Sequence, residues 1–303
     1  MLRIITLLLI GAVLSFGANQ LYQKKTRFGL LAKFTSPTFS SCDEWDLPPL
    51  PADEQSAVDA ILTQKFTFLA RGSQAFAFVS EDGNYILKLF KQHKWHPKNL
   101  FGYLPLPFNP YYRDYLQRQK KQHGVLSSCM AALTHVKEHT GVLYAHLNPT
   151  PVAVTATTLV DKHGKIWTLD LSKSCFLLQK KADLFYPYIQ ARMQDNDIEG
   201  AKEAIRSTLA LLGQFFEMGV YENNVILRKN FGFIDNTPVQ FDIGKFKFDP
   251  QKKCDKNEIR ILVKGFYRWI GNNYPELIPV FDETLDNVCA KEDILKEKKS
   301  TFS

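Results

Sequence analysis

Apolar and polar positions alternate first at Phe66, Phe68 and Ala70, then at Phe76 and Phe78, and these two stretches are expected to be strands. Tyr85-Ile-Leu-Lys88-Leu-Phe90 is a third strand, apolar apart from one lysine. The turns between them are Arg71-Gly72-Ser73-Gln74-Ala75 and Glu81-Asp82-Gly83-Asn84. Further strands are predicted over 141–148, 152–160, 165–171 and 174–179, with Asp161-Lys-His-Gly164 as a hairpin turn. The period then lengthens. A helix over 198–218 has Asp197 as its cap, a stripe of Ala201, Ala204 or Ile205, Leu209, Leu212 and Phe216, and Gly219 as its stop. Shorter helices are expected from Ala52, with Val58, Ile61 and Leu62 on one face, and over 126–139, with Met130, Leu133 and Val136. Two more are expected near the C-terminus, over 255–270 and 277–288. The first opens on Asp255-x-x-Glu258 and turns Ile259, Leu262, Phe266 and Trp269 inward. Residues 92–124 read as a basic, irregular segment, and 291–303 as a charged tail.

The first twenty residues stand apart. Ile4 to Phe16 is apolar except for Thr6, Gly11 and Ser15, and Lys24, Lys25 and Arg27 follow closely. The segment is expected to be a signal-anchor or transmembrane segment over 1–20, with the rest of the protein on the cytoplasmic side of the membrane. The alternative is a cleaved signal peptide and a secreted protein, with Ser15-Phe-Gly17 as the cleavage site. Residues 21–51, rich in Ser, Thr and Pro towards their end, read as a linker.

Composition changes this picture little. At 303 residues with 45% hydrophobic and 13% aromatic content, the chain can bury a large core in one or two domains. The net charge of +7 suits an anionic ligand or simple solubility, and nucleic acid is not an expected partner. Cys42, Cys129, Cys175, Cys254 and Cys289 are odd in number and scattered, which argues against a zinc site, against a disulfide framework and for a reducing compartment. His93 and His96 have no acid or cysteine beside them and read as part of a solvated basic loop.

The candidate chemistry lies in Asn230-Phe-Gly-Phe-Ile-Asp-Asn-Thr-Pro-Val-Gln-Phe-Asp242-Ile-Gly-Lys245. Two apolar runs around Asp235-Asn236-Thr237-Pro238 make a hairpin, with Asn230 at its entrance and Asp242 at its exit. An Asn and an Asp so paired can hold a divalent metal through hard oxygens, and the alternative is an ordinary surface hairpin. Lys88, if buried in its strand, needs an anion or a carboxylate. The alternative is an outward-facing lysine on an edge strand.

Strand, glycine turn, strand, hairpin and lysine strand, followed by a long helix and the Asn230 to Asp242-Ile-Gly244 stretch, resembles the protein-kinase-like superfamily over about 66–245. The chain is also similar to kinase-like proteins of chlamydia-related intracellular bacteria. The resemblance implies an α+β, bilobal protein-kinase-like fold: a β-rich N-lobe over 52–183, with residues 176–183 as its hinge, and a reduced helical C-lobe over 184–298. It implies ATP and Mg2+ as cofactors, with Gly72, Ser73, Gln74 and Lys88 at the phosphates and Asn230 and Asp242 on the metal, and a helix-borne carboxylate partner for Lys88, for which Asp114 and Glu138 are the acids between it and Gly141. Where the family has its general-base Asp, five residues before the Asn, this chain has Val225. Glu222 and Asn224 are the substitutes at hand. The resemblance therefore implies a nucleotide-binding pseudokinase or a very weak phosphotransferase, which the N-terminal apolar segment is expected to anchor to a membrane. The alternative from a different class is a scaffold that kept the fold, lost the nucleotide and meets a partner or a membrane through its basic segment 92–124.

Overall fold

The structure is a computed structural model that describes residues 2–27, 30–35, 42–148, 152, 154, 156–223 and 225–289. It is a mixed α+β chain that divides into two compact units. The first holds residues 1–126 and 143–178, the second residues 127–142 and 179–303.

The first unit opens with α1 (Leu2–Arg27) and α2 (Ala52–Leu62), followed by β1 (Lys65–Arg71), β2 (Ala75–Ser80) and β3 (Tyr85–Phe90). Then come α3 (Pro110–His135), whose residues from 127 on are counted in the second unit, β4 (Val142–His146), β5 (Ala156–Val160), β6 (Ile166–Asp170) and β7 (Phe176–Lys180). The seven strands form one sheet in the order β4-β7-β3-β2-β1-β5-β6. β1, β2 and β3 are an antiparallel meander, and β1 takes β5 on its other side in parallel, Phe66 facing Leu159. The register of β1 shifts between Phe68 and Ala70, which leaves Leu69 exposed. Phe66, Phe78, Leu87, Leu89, Leu159 and Phe176 are fully buried in the core of this unit.

Three expectations are corrected here. Among the described residues no helix is long and apolar enough to cross a membrane, so the expected transmembrane anchor is not found. The apolar run 4–16 would rise only about 20 Å as a helix, against about 30 Å of hydrocarbon. The same helix carries on through Asn19, Gln20 and Gln23. Part of the expected linker, in turn, belongs to the core. Phe34 is fully buried, with its ring edge-on to Phe76 at 5.4 Å and to Phe78 at 6.0 Å, and Trp45 is buried too. Third, the basic segment 92–124 is not irregular throughout. Asn109 caps α3 by accepting from the Tyr111 N–H at 3.0 Å, and Pro110 takes the first helical position, where its missing N–H costs nothing. The helix then runs on to His135 through Gly124, whose surroundings are open.

The second unit holds β8 (Asp183–Leu184), α4 (Phe185–Gln194), α5 (Ile198–Glu217), β9 (Val220–Tyr221), α6 (Leu227–Asn230), β10 (Phe231–Ile234) and β11 (Thr237–Gln240). β12 (Lys247–Phe248), α7 (Lys256–Asn273) and α8 (Ile278–Asn287) complete it. Asp197 caps α5 as expected, accepting from the Gly200 N–H at 2.9 Å, and the stripe from Ala201 to Phe216 is buried. Gly219 ends the helix at φ 72°. On α7 the buried face is Ile259, Val263, Phe266 and Ile270, so Leu262 and Trp269 lie at its margin.

The cysteine expectation also fails, because Cys254 and Cys289 are joined by a disulfide with a Cα–Cα distance of 5.6 Å. They flank α7 and α8, which pack together and so return the chain to its starting point.

β10 has β11 on one side and β8 on the other. A Cβ on Gly232 would fall 2.3 Å from the Asp183 carbonyl oxygen. Gly232→Ala is therefore expected to cost about 1–3 kcal/mol through overpacking. A urea midpoint equal to that of the parent protein would remove the β8–β10 pairing from the fold.

Candidate functional site

The site of the second unit is built where the chain leaves α5. Gly219 turns it into β9, and Glu222 follows directly, 3% exposed. The single turn of α6 then ends on Asn230, itself buried. β10 leaves from there, Asp235 and Asn236 make the turn at φ 49° and 63°, and β11 returns to Gln240. Positive φ at both turn residues is what a two-residue hairpin loop asks for, and Asp and Asn tolerate it. Asp242 thus comes back beside the start of the hairpin.

The loop that carries Asp242 is pinned on both sides. The Asn230 carbonyl accepts from the Phe241 N–H at 2.9 Å, Gln179 donates to the Phe241 carbonyl at 3.0 Å, and the Ser128 hydroxyl donates to the Ile243 carbonyl at 2.5 Å. Within this frame the Asn230 amide NH2 donates to Asp242 Oδ2 at 3.2 Å. The amide oxygen of Asn230 accepts from the Ile226 N–H at 3.2 Å. Asn230 therefore fixes the Asp242 carboxylate, and its oxygen is already engaged.

Glu222 is the third member. Its Oε2 accepts from Gln240 Nε2 at 2.8 Å, while Lys245 Nζ stands 3.8 Å from Oε1. Oε1 is buried without a hydrogen-bond partner among the described residues. Burial pushes the Glu222 carboxyl up to about 7, with the Asp242 charge adding to the rise and Lys245 opposing it. Val225, at the position where the resemblance has an Asp, is buried and apolar. Asn224 lies outside the described residues. Among the described residues no group of three His, Cys, Asp or Glu side chains is arranged to hold a metal.

Gln240 and Lys245 are site residues that the sequence reading does not include, although Gln240, polar between Val239 and Phe241, is a signal. A buried amide needs a partner, and Glu222 is that partner.

The remaining candidates belong to the first unit. Gly72 opens the β1–β2 turn, its N–H bonded to the Ala75 carbonyl at 2.9 Å, while the Gln74 carbonyl accepts from the Lys91 N–H at 2.8 Å. The Ser73 carbonyl accepts from Lys94 Nζ at 2.7 Å. Lys88 is half-buried opposite Ala77, and its strand neighbours Leu87 and Leu89 are fully buried. Of its two proposed partners, Asp114 is bonded along α3 to Arg118 at 2.8 Å. Glu138 sits in a short 3-10 turn of the second unit, largely exposed and 3.7 Å from His139.

No protein-family model matches this chain, and no curated protein matches it in sequence. Among solved structures it is similar to the bifunctional kinase-methyltransferase WbdD, at 13% identity over 70% of this chain and 43% of that one, with a TM-score of 0.36. It is similar to the Rv3197–erythromycin complex from Mycobacterium tuberculosis, at 16% identity over 78% of this chain and 61% of that one, with a TM-score of 0.30. A third similarity is to the ROP18 kinase domain in complex with AMP-PNP and sucrose, at 15% identity, 64% and 61% coverage and a TM-score of 0.33. The chain spans less than half the length of WbdD and less than two thirds of the other two.

Proposed function

We propose that this chain is a kinase-like protein that binds ATP with Mg2+ and transfers phosphate slowly or not at all. The observation that carries the reading is the Asn230–Asp242 hydrogen bond, with the Glu222 carboxylate buried in the same cluster. The order of elements supports it: a glycine turn between β1 and β2, Lys88 on β3, then the long α5, the turn of α6 ending on Asn230, a hairpin, and Asp242-Ile-Gly.

Mg2+ takes one or two carboxylates and fills its remaining positions with water and phosphate oxygens. Asp242 and Glu222 suit that demand, and the orphaned Oε1 of Glu222 is an oxygen that a cation would satisfy. Asn230, with its NH2 towards Asp242, orients the ligand rather than serving as one. Bound there, a divalent ion supplies charge neutralisation at phosphoryl oxygens. Glu222, near pH 7 half protonated, is a weak proton acceptor at a position where Val225 can accept none. Binding thus survives better in this loop than proton chemistry does.

The test is thermal and urea unfolding with ATP and Mg2+. At a hundredfold excess over the dissociation constant, a ligand of the folded state adds about 2.7 kcal/mol. That gain is expected in the parent protein and lost in Asp242→Ala and in Lys88→Ala. Mn2+ alone, followed by electron paramagnetic resonance, is expected to bind the parent and not Asp242→Ala. No gain with ATP, or an equal gain in both variants, would sink the reading in favour of a scaffold that lost the nucleotide.

A further inference from the structure

Around the β1–β2 turn the first unit gathers four cations. Lys91, the residue after β3, is 2% exposed, its ammonium donates to the Gly72 carbonyl, and it lies 4.4 Å from the centre of the Phe76 ring. Arg71 and Lys33 reach the same ring, at 5.8 and 6.0 Å from its centre. Lys94 is held beside them through the Ser73 carbonyl. Among the described residues no carboxylate makes an ion pair with any of the four. Burial first, and then the charges of Lys94, Arg71 and Lys33, press the Lys91 ammonium down to about 8.

Carbonyl bonds explain where Lys91 and Lys94 point, and they leave the charge uncompensated. A buried cation is ordinarily paired with an anion. Here its neighbours are further cations, and Lys33 and Arg71 stand with it around the Phe76 ring, whose π-system attracts cations and neutralises none. Lysine and arginine converging in this way is the usual answer to a phosphate: point charges from the ammonium groups and a planar fork from the guanidinium. Position separates the cluster from Lys88. Side chains alternate along a strand, so Lys91 shares the face of Leu87, Leu89 and Phe76, and Lys88 points to the other.

We propose that Lys33, Arg71, Lys91 and Lys94 form an oxyanion site, for phosphate or a phosphate monoester, on the sheet face opposite Lys88. Arg71 and Lys94 are its outer members and can be changed without emptying the core.

Isothermal titration of the full chain with inorganic phosphate, at constant ionic strength against chloride, tests this. Binding is expected in the parent protein and in Lys88→Ala and Asp242→Ala, and weakened about tenfold or more in Arg71→Gln/Lys94→Gln. Cosedimentation with phosphatidylcholine vesicles, with and without phosphatidylinositol 4-phosphate, identifies the source. Pelleting that needs the phosphoinositide and is lost in the double variant makes the ligand a lipid headgroup. Phosphate binding without pelleting makes it a soluble phosphate. No phosphate binding in the parent protein, or equal binding by the double variant, overturns the site and leaves Lys91 and Lys94 as fasteners of the turn. Loss of phosphate binding in Lys88→Ala or Asp242→Ala would overturn it as well.

Discussion

Glu222→Gln is expected to make the protein more stable at pH 8 by about 3 kcal/mol and to change nothing at pH 4, where the parent carboxyl is protonated in both states. The sign follows from the direction of the shift. Glu222 goes from 4.5 in the unfolded chain to about 7 in the folded one, so the folded state holds its proton more tightly. Stability is fully present below pH 4.5, falls as pH rises from there through 7, and is flat above. The driving cost is burial of a carboxylate that has one good hydrogen bond, from Gln240, and only a distant lysine in Lys245. A glutamine keeps the shape, accepts from Gln240 through its own oxygen and never ionises. Urea unfolding of the two proteins between pH 4 and 8 measures the difference. Parallel curves across that range would show that Glu222 is not buried as described.

Removing the Cys254–Cys289 bridge, by Cys254→Ser/Cys289→Ser or by reduction, is expected to cost about 3–4 kcal/mol, the loop-closure value for a separation of 35 residues. The bridge ties the residue before the Asp255 cap of α7 to the segment after α8. In the parent protein the urea midpoint should fall on adding reductant, and in the double variant it should not move. Thiol labelling gives an independent check. Of the cysteines outside the bridge, Cys42 is exposed while Cys129 and Cys175 are buried, so the folded oxidised protein should label at Cys42 alone. A midpoint indifferent to reductant would mean that the two helices need no tie.

Much of this architecture was legible because it is local. The β1–β2–β3 meander, the Gly83 and Gly164 turns, the Asp197 cap and the Gly219 stop each follow from residues within a few positions of one another. The hairpin from Asn230 to Asp242 was legible for the same reason. What escaped depends on distant partners. Phe34 looks like part of a Ser/Thr/Pro linker until its ring meets Phe76 and Phe78. The first half of α3 has too few apolar positions to show a period, and its real signal, Asn109-Pro110, lay in a stretch dismissed as irregular. Two cysteines among five scattered ones do not reveal themselves as a pair; that takes the packing of α7 on α8. At the site, Glu222 looked misplaced next to Val225, because its role depends on Gln240 and Lys245 coming back across the hairpin.

The parallel pairing of β1 with β5 has a bearing on how the chain is made. β1, β2 and β3 can find one another as soon as they leave the ribosome, since only short turns separate them. The far side of β1 has to wait, because Lys65 pairs with Thr158 only after α3 and β4 have been synthesised. During that interval β1 presents an open edge, and closing it requires a long, entropically costly loop. Lys65 and Arg71, at the two ends of β1, put charge on that edge while it stands open.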